Sequence, residues 1–190
     1  MTPTLHLIQN VLLGVVAVLA ALALFSGYVA RRVTRAFPPE GRFVDIDGDR
    51  IHYVEYGNGP PIVFVHGLAG QWRNFAYLPL TRLAQQHRVI LIDRPGAGRS
   101  LRGAASQANV FAQARTVAAF IDALQLDKPV LVGHSLGGAI ALAVGLNHPD
   151  RVSRLALIAP LSHEQPEPPA PFRPLMLPSP PVRRLVAGTF

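Results

Sequence analysis

Cysteine is absent from the 190 residues of this chain. Its absence excludes a disulfide framework, an iron–sulfur cluster, a thiolate zinc site and a thiol nucleophile. Lysine occurs once, at Lys128, so the net charge of +7 comes almost entirely from arginine. No basic helix, zinc spacing or stacking motif accompanies this charge, so we expect no nucleic-acid partner. The length suits one domain, or one domain plus an anchor.

Positive charge is also absent from the start of the chain, ahead of a long apolar run. Residues 7–30 carry no charge, and about 20 apolar residues span a hydrocarbon core. Arg31, Arg32 and Arg35 follow the run, whereas a secretory signal carries its positive charge in front. We therefore interpret residues 1–36 as an uncleaved membrane anchor with a span at about 8–30; a cleaved signal peptide is the alternative. The positive-inside rule predicts that the rest of the chain lies on the cytoplasmic side.

After a proline-containing linker, short β-branched runs alternate with helical patterns. Asp47-Gly48-Asp49 predicts a hairpin turn between two strands. The alternation predicts an α/β fold, an open and mostly parallel sheet with helices on both faces, over residues 42–160. The predicted strands cover residues 43–47, 51–56, 62–65, 89–92, 130–132 and 155–159, and the predicted helices cover 79–86, a segment capped by Ser106 and ending near Leu124, and 136–147. In such a sheet, ligands bind at the carboxyl ends of the strands.

The most informative motif is Gly-His-Ser-Leu-Gly-Gly at residues 133–138. It falls at the end of a predicted buried strand and opens a predicted helix, and its glycines let neighbouring backbones pass close to the serine. A tight turn there lifts the hydroxyl of Ser135 above the sheet edge. It also places Ser135 at a helix N-terminus, where free N–H groups favour developing negative charge. These features predict that Ser135 is a nucleophile.

Two further motifs stand in family-like order, His-Gly-Leu-Ala-Gly at residues 66–70 and Asp-Arg-Pro-Gly-Ala-Gly-Arg-Ser at 93–100. With the serine motif, they make the chain resemble the α/β-hydrolase superfamily over about residues 43–160. The resemblance implies that Ser135 is the nucleophile and that the backbone N–H groups of Leu68 and Leu136 form the oxyanion hole. One such donor typically lowers the barrier by about 3–4 kcal/mol. No metal-ligand spacing or phosphate-cradling loop occurs in the sequence, so we expect no cofactor and no metal.

The nucleophile narrows the predicted chemistry. Dehalogenase-like and epoxide-hydrolase-like members use aspartate at this position and tend to have proline soon after the His-Gly pair, and this chain has neither feature. It looks most like the esterase, lipase and haloperoxidase-like group. We therefore expect an acyl-serine mechanism on a small carboxylic ester of an apolar acid, a lipid being one candidate. A cofactorless perhydrolase and a non-catalytic protein that binds a ligand or partner are the alternatives.

A catalytic acid and a catalytic histidine are missing from their expected places. In this fold the triad follows the order serine, acid, histidine. Of the candidates among the 55 residues after Ser135, Asp150 lies in a turn, where we expect a solvated pair with Arg151, and Glu164 has no histidine after it. His163 precedes that glutamate and is a poor general base by order. Without a base, the serine would be close to an ordinary alcohol.

These gaps predict that the chain is the N-terminal portion of a longer hydrolase and is inactive alone, with the acid and histidine expected beyond Phe190. Residues 161–190 are rich in proline, which excludes them from a sheet core. We interpret them as the incomplete start of a lid or cap. A genuine short protein that binds without turnover is the alternative.

Several other residues have structural explanations. We expect His66 to shape the oxyanion loop and Asp93 to fix the turn of its own motif. Trp72, Phe75 and Tyr77 follow the oxyanion loop, where they either line an acyl pocket or pack in the core.

Overall fold

The computed structural model describes residues 3–36 and 40–163. Contacts within the chain divide it into two units. One contains helix α1, Pro3–Ala36, and the other begins at Glu40 and holds the remaining described residues. Of the predicted lid, residues 161–190, only 161–163 are described, and Glu164 lies outside the described residues.

Helix α1 has 34 residues and is therefore about 51 Å long. Its segment His6–Ala36 is long and apolar enough to cross a membrane, by length and composition. The side chains of this segment are exposed, which distinguishes it from the core helix of a soluble protein. A signal sequence near the N-terminus has the same properties, so the uncleaved anchor and its orientation stay predictions.

The second unit is built on one six-stranded sheet. The strands are β1 Arg42–Ile46, β2 Asp49–Tyr56, β3 Pro61–Val65, β4 Arg88–Ile92, β5 Val130–His134 and β6 Arg154–Ile158. Their order is β1-β2-β4-β3-β5-β6. Strands β4, β3, β5 and β6 are parallel, while β2 pairs antiparallel with both β1 and β4. The sheet is therefore mixed. Its parallel part, as predicted, contains the strands that the three motifs follow, and the predicted hairpin lies at one edge.

Alternating side chains of the strands build a core on each face of the sheet. Val63 and Val65 of β3 pack on the side covered by α3, Val110–Ala123, and α4, Leu136–Asn147. The intervening residues of β3 pack on the other side, against a 3₁₀ helix, Trp72–Phe75, and the short helix α2, Leu80–Leu83. The face at the two long helices is the larger core, and it positions the motif between β5 and α4.

The structure corrects two helix predictions. The helix predicted over residues 79–86 is a single turn, α2, followed by turns. Helix α3 begins at Val110 and is capped by Asn109, whose side-chain oxygen accepts from Ala112 N at 2.8 Å. Ser106 is not the cap, because its hydroxyl donates to the carboxylate of Asp49 at 3.0 Å.

Candidate active site

Ser135 occupies a strained corner between β5 and α4. Its φ of +53° and ψ of −119° place a non-glycine residue in a region that L side chains rarely adopt. Neighbouring backbone holds it there, since Ser135 N donates to Ile158 O at 3.0 Å and Ser135 O accepts from Leu161 N at 2.9 Å. The chain therefore makes a sharp strand-to-helix turn at Ser135, at the carboxyl end of a parallel strand, and the role of Ser135 as a nucleophile stays a prediction.

Glycines make the corner possible. A side chain at Gly137 would collide with the backbone oxygens of Val65 and His66, at the end of β3. A Cβ added to Gly67 would lie 3.0 Å from Cβ of Ser135. The oxyanion loop after β3 and the serine corner after β5 are therefore packed backbone against backbone.

The two predicted oxyanion donors are Leu68, in the loop after β3, and Leu136, the first residue of α4. Within residues 3–36 and 40–163, neither backbone N–H donates to a protein acceptor. The first N–H groups of a helix have no partner inside the helix. Both groups thus have the hydrogen-bonding capacity that a bound oxyanion requires, and their catalytic role stays a prediction.

His66 lies beneath this loop and is completely buried. Its Nε2 accepts from the backbone N–H of Arg94 at 3.1 Å, so the ring proton sits on Nδ1 and is donated to Gly67 O at 2.8 Å. Burial and the nearby Arg94 charge lower the pKa of His66 to about 4. His66 is therefore neutral and supports the loop, the role expected from its place in the motif.

Asp93 organises the second loop from a fully buried position. One carboxylate oxygen accepts from Trp72 N at 2.7 Å, and the other accepts from His52 Nδ1 at 2.8 Å and Arg99 N at 3.0 Å. Burial alone would raise the pKa of Asp93, but the hydrogen bonds, led by His52, outweigh it and lower the pKa. Asp93 thus fixes its turn, as expected, and it also ties that turn to the 3₁₀ helix that follows the oxyanion loop.

Sequence reasoning missed His52. The residue is 1% exposed, and its Nε2 lies 2.7 Å from the backbone oxygen of Glu40. Its position among the buried residues of β2 is the only local signal, because its partner Asp93 stands 41 residues away.

The histidines and acids near the site do not complete a triad within the described residues. There, the hydroxyl of Ser135 makes no hydrogen bond. His163 is exposed, and its Nδ1 lies 2.9 Å from the hydroxyl of Ser162. The expected pairing of Arg151 with Asp150 is wrong, since Arg151, in the 3₁₀ turn that follows α4, pairs with Asp122 of α3 at 3.1 Å.

The aromatic residues after the oxyanion loop differ in environment. Phe75 is buried in the core, and Tyr77 is 70% exposed. Trp72 is buried and also lines a cavity of about 630 Å³ beside α2. No residue of the three motifs lines this cavity, so it is not an acyl pocket at Ser135. In the part of the chain that the structure describes, no group of three histidines, aspartates or glutamates is placed to hold a metal ion.

Comparison with known proteins identifies the family of the fold. The family model described as the alpha/beta hydrolase fold matches residues 60–182, well over half of the chain, and the chain belongs to that family. The 2-hydroxymuconate semialdehyde hydrolase of Pseudomonas sp. (strain CF600) is 37% identical over 124 residues, which are 64% of this chain and 44% of that protein. Haloalkane dehalogenase 2 of Mycobacterium tuberculosis (strain ATCC 25618 / H37Rv) is 35% identical over 122 residues, 64% of this chain and 42% of that protein.

Among solved structures, Est816, described as an N-acyl homoserine lactone degrading enzyme, is 37% identical with a TM-score of 0.58. The match covers 63% of this chain and 45% of that one. The chain spans less than half the length of each of these three proteins. These three proteins are named as a hydrolase, a dehalogenase and a lactone-degrading enzyme, so they support hydrolase activity as a class.

Proposed function

We propose that the protein is a serine hydrolase in which Ser135 attacks the carbonyl carbon of a carboxylic ester. The observation that carries the proposal is the corner at Ser135, a non-glycine residue at φ +53° between a parallel strand and the first turn of α4. Maintaining such a conformation costs of order 1–3 kcal/mol, and active sites are where proteins retain it. A serine at this corner favours acyl transfer over the aspartate-based chemistry of dehalogenases.

The proposed reaction has two steps. The hydroxyl of Ser135 loses its proton to a base as its oxygen bonds to the acyl carbon, and the alcohol then leaves with a proton to give an acyl-serine. Water attacks the acyl carbon, which releases the acid and restores the hydroxyl. In both steps negative charge gathers on the former carbonyl oxygen, and the free N–H groups of Leu68 and Leu136 are the proposed donors to it.

The base and its acid partner are proposed to come from chain outside the described residues. No described side chain forms a hydrogen bond with the hydroxyl of Ser135, and these relatives are more than twice as long as the matched region. The family's order of serine, acid and histidine places both groups after Ser135. We accordingly propose that the 190-residue chain alone turns over no ester and that a longer form does.

Membrane attachment through α1 is the second part of the proposal. Its support is the exposed apolar surface of His6–Ala36 and the cluster of arginines at its C-terminal end, which favours a cytoplasmic hydrolase unit. An enzyme held at a bilayer encounters apolar acyl chains, so lipid esters are proposed substrates. Extraction of the expressed protein with carbonate and with detergent tests the anchor, and release by carbonate would contradict it.

Labelling by a fluorophosphonate probe tests the nucleophile. We expect the longer form of the protein to react covalently and to hydrolyse a p-nitrophenyl ester, and Ser135→Ala to abolish both activities. Ser153→Ala is the matched control, because Ser153 is exposed and its side chain makes no described contact. Labelling that persists in Ser135→Ala would refute the assignment.

The absence of a described base beside Ser135 favours one alternative, a fold that binds a ligand or partner without turnover. It predicts that a longer form with an intact Ser135 hydrolyses neither aryl esters nor an N-acyl homoserine lactone. A cofactorless perhydrolase would instead form peracid from acetate and hydrogen peroxide, and Ser135→Ala would abolish that activity too.

A further inference from the structure

Arg94 is a buried cation that the proposed mechanism does not use. It is only 5% exposed, and each nitrogen of its guanidinium has an acceptor. Nε donates to His66 O at 3.0 Å, Nη2 donates to Gly67 O at 2.7 Å, and Nη1 donates to Gln113 Oε1 at 2.6 Å. Within the described residues none of these acceptors is a carboxylate. Two of the three are consecutive carbonyls of the oxyanion loop.

The carbonyl of Gly67 and the N–H of Leu68 belong to the same peptide unit. Three donors converge on that oxygen: the guanidinium of Arg94, Nδ1 of His66 at 2.8 Å and the backbone N–H of Gly70 at 3.3 Å. The N–H at the other end of the unit has no described acceptor. The peptide plane is therefore held at its oxygen and left open at its nitrogen.

Holding the oxygen has two physical consequences for the nitrogen. Fixing the plane fixes the direction of the Leu68 N–H, so no reorientation is needed when negative charge develops. A hydrogen bond from an ionised donor is about twice as strong as a neutral one, and it polarises the amide that accepts it. Electron density drawn toward the oxygen of Gly67 makes the Leu68 N–H a stronger donor.

We propose that Arg94 is a positioning residue of the oxyanion site, which orients and polarises the Gly67–Leu68 peptide so that the N–H of Leu68 faces the reacting oxygen. The inference rests on the proposed function for its catalytic meaning. Its structural part, the effect of the guanidinium on one peptide, can be measured without any turnover.

The sequence offers a direct spectroscopic test. Gly-Leu occurs twice in the chain, at Gly67–Leu68 and at Gly145–Leu146 in α4. Labelling with carbonyl-¹³C glycine and ¹⁵N leucine therefore gives two signals in an HNCO spectrum of the full chain in detergent micelles. The second signal reports whether the fold is intact.

Arg94→Gln removes the charge, and Arg94→Lys keeps a charge that cannot reach three separated acceptors. For both variants we expect the Gly67 carbonyl and the Leu68 amide proton to shift upfield, more in Arg94→Gln, with Gly145–Leu146 unmoved. Arg102→Gln is the matched control, because Arg102 belongs to the same loop but is exposed and donates to Pro95 O instead. It should leave both signals in place.

Unmoved Gly67–Leu68 signals in Arg94→Gln would overturn the proposal. Loss of the Gly145–Leu146 signal in both Arg94 variants would assign Arg94 to folding alone and would overturn it too. In the longer form we expect Arg94→Lys to lower kcat about tenfold with KM unchanged, below the 10²–10³ loss that follows removal of a whole oxyanion donor. If that form proves inactive while the signals shift, the proposed function fails and the effect of Arg94 on the peptide stands.

Discussion

Replacement of Asp93 by asparagine is the most informative single perturbation of the site. The carboxylate accepts from Trp72 N on one oxygen and from His52 and Arg99 N on the other. An amide of the same shape has one acceptor oxygen and one NH₂ group. In either orientation, at least one of the backbone N–H groups of Trp72 and Arg99 therefore faces a donor.

The cost follows from those contacts. A buried donor left unsatisfied costs about 1–3 kcal/mol. The bonds that survive also weaken, from about 1.5–3 kcal/mol for a charged acceptor to about 0.5–1.5 kcal/mol for a neutral one. We expect Asp93→Asn to lower the free energy of unfolding by about 3 kcal/mol. With a urea m-value of about 2–3 kcal/mol/M, the unfolding midpoint falls by about 1–1.5 M.

The protein contains its own probe for this measurement. Trp72 is the only tryptophan, it is 6% exposed, and its backbone N–H is one of the affected donors. Urea unfolding in detergent, followed by tryptophan fluorescence, compares Asp93→Asn with Asp127→Asn, an exposed carboxylate expected to stay within 0.5 kcal/mol of the parent. Equal midpoints for the two variants would refute the assignment of Asp93 as the organiser of these loops.

Three further predictions concern the core, a helix cap and pH. Phe120→Ala removes a fully buried ring from α3 and should cost about 3–5 kcal/mol, whereas Phe111→Ala on the same helix, 61% exposed, should cost little in the same urea titration. Asn109→Ala should lower the free energy of unfolding by about 1 kcal/mol because it removes the cap of α3, and Asn109→Ser should retain most of that stabilisation. The pKa of His66 is lowered from 6.5 to about 4, so the unfolded chain binds the proton more tightly. The contribution of His66 to the free energy of unfolding should therefore be fully present above pH 6.5 and fall by up to about 3 kcal/mol toward pH 4. An equal urea midpoint at pH 7 and pH 5 would contradict this.

Features set by neighbours in the chain were predictable from the sequence. A short apolar run such as that in β3 predicts a buried strand, because it is too short for a helix. A strand in a sheet that is covered on both faces has all of its side chains buried. The bounds of α4 match the prediction, since the serine corner and Pro149 limit it at both ends. The turn at Ser135 was also predictable, because its glycines are needed at fixed offsets from the serine.

Predictions failed where a distant residue competed with a local signal. Ser106 has a good capping side chain, but its hydroxyl donates to a carboxylate of β2, and Asn109 caps α3 instead. Arg151 stands next to Asp150 in the chain, yet it pairs with an aspartate of α3 that lies beside it in space. Local patterns carry no information about such partners.

The sequence by itself determined where the strands lie, which serine is the candidate nucleophile and which loops surround it, because these depend on side-chain periodicity and on glycine at nearby positions. Only the tertiary structure decided how the loops are held. His52 forms a hydrogen bond with Asp93, and Arg94 donates one to the peptide carbonyl before Leu68. Those contacts join residues 41 and 27 positions apart. They exist because the sheet brings the ends of β2, β3 and β4 together, a fact of strand order that no local window contains.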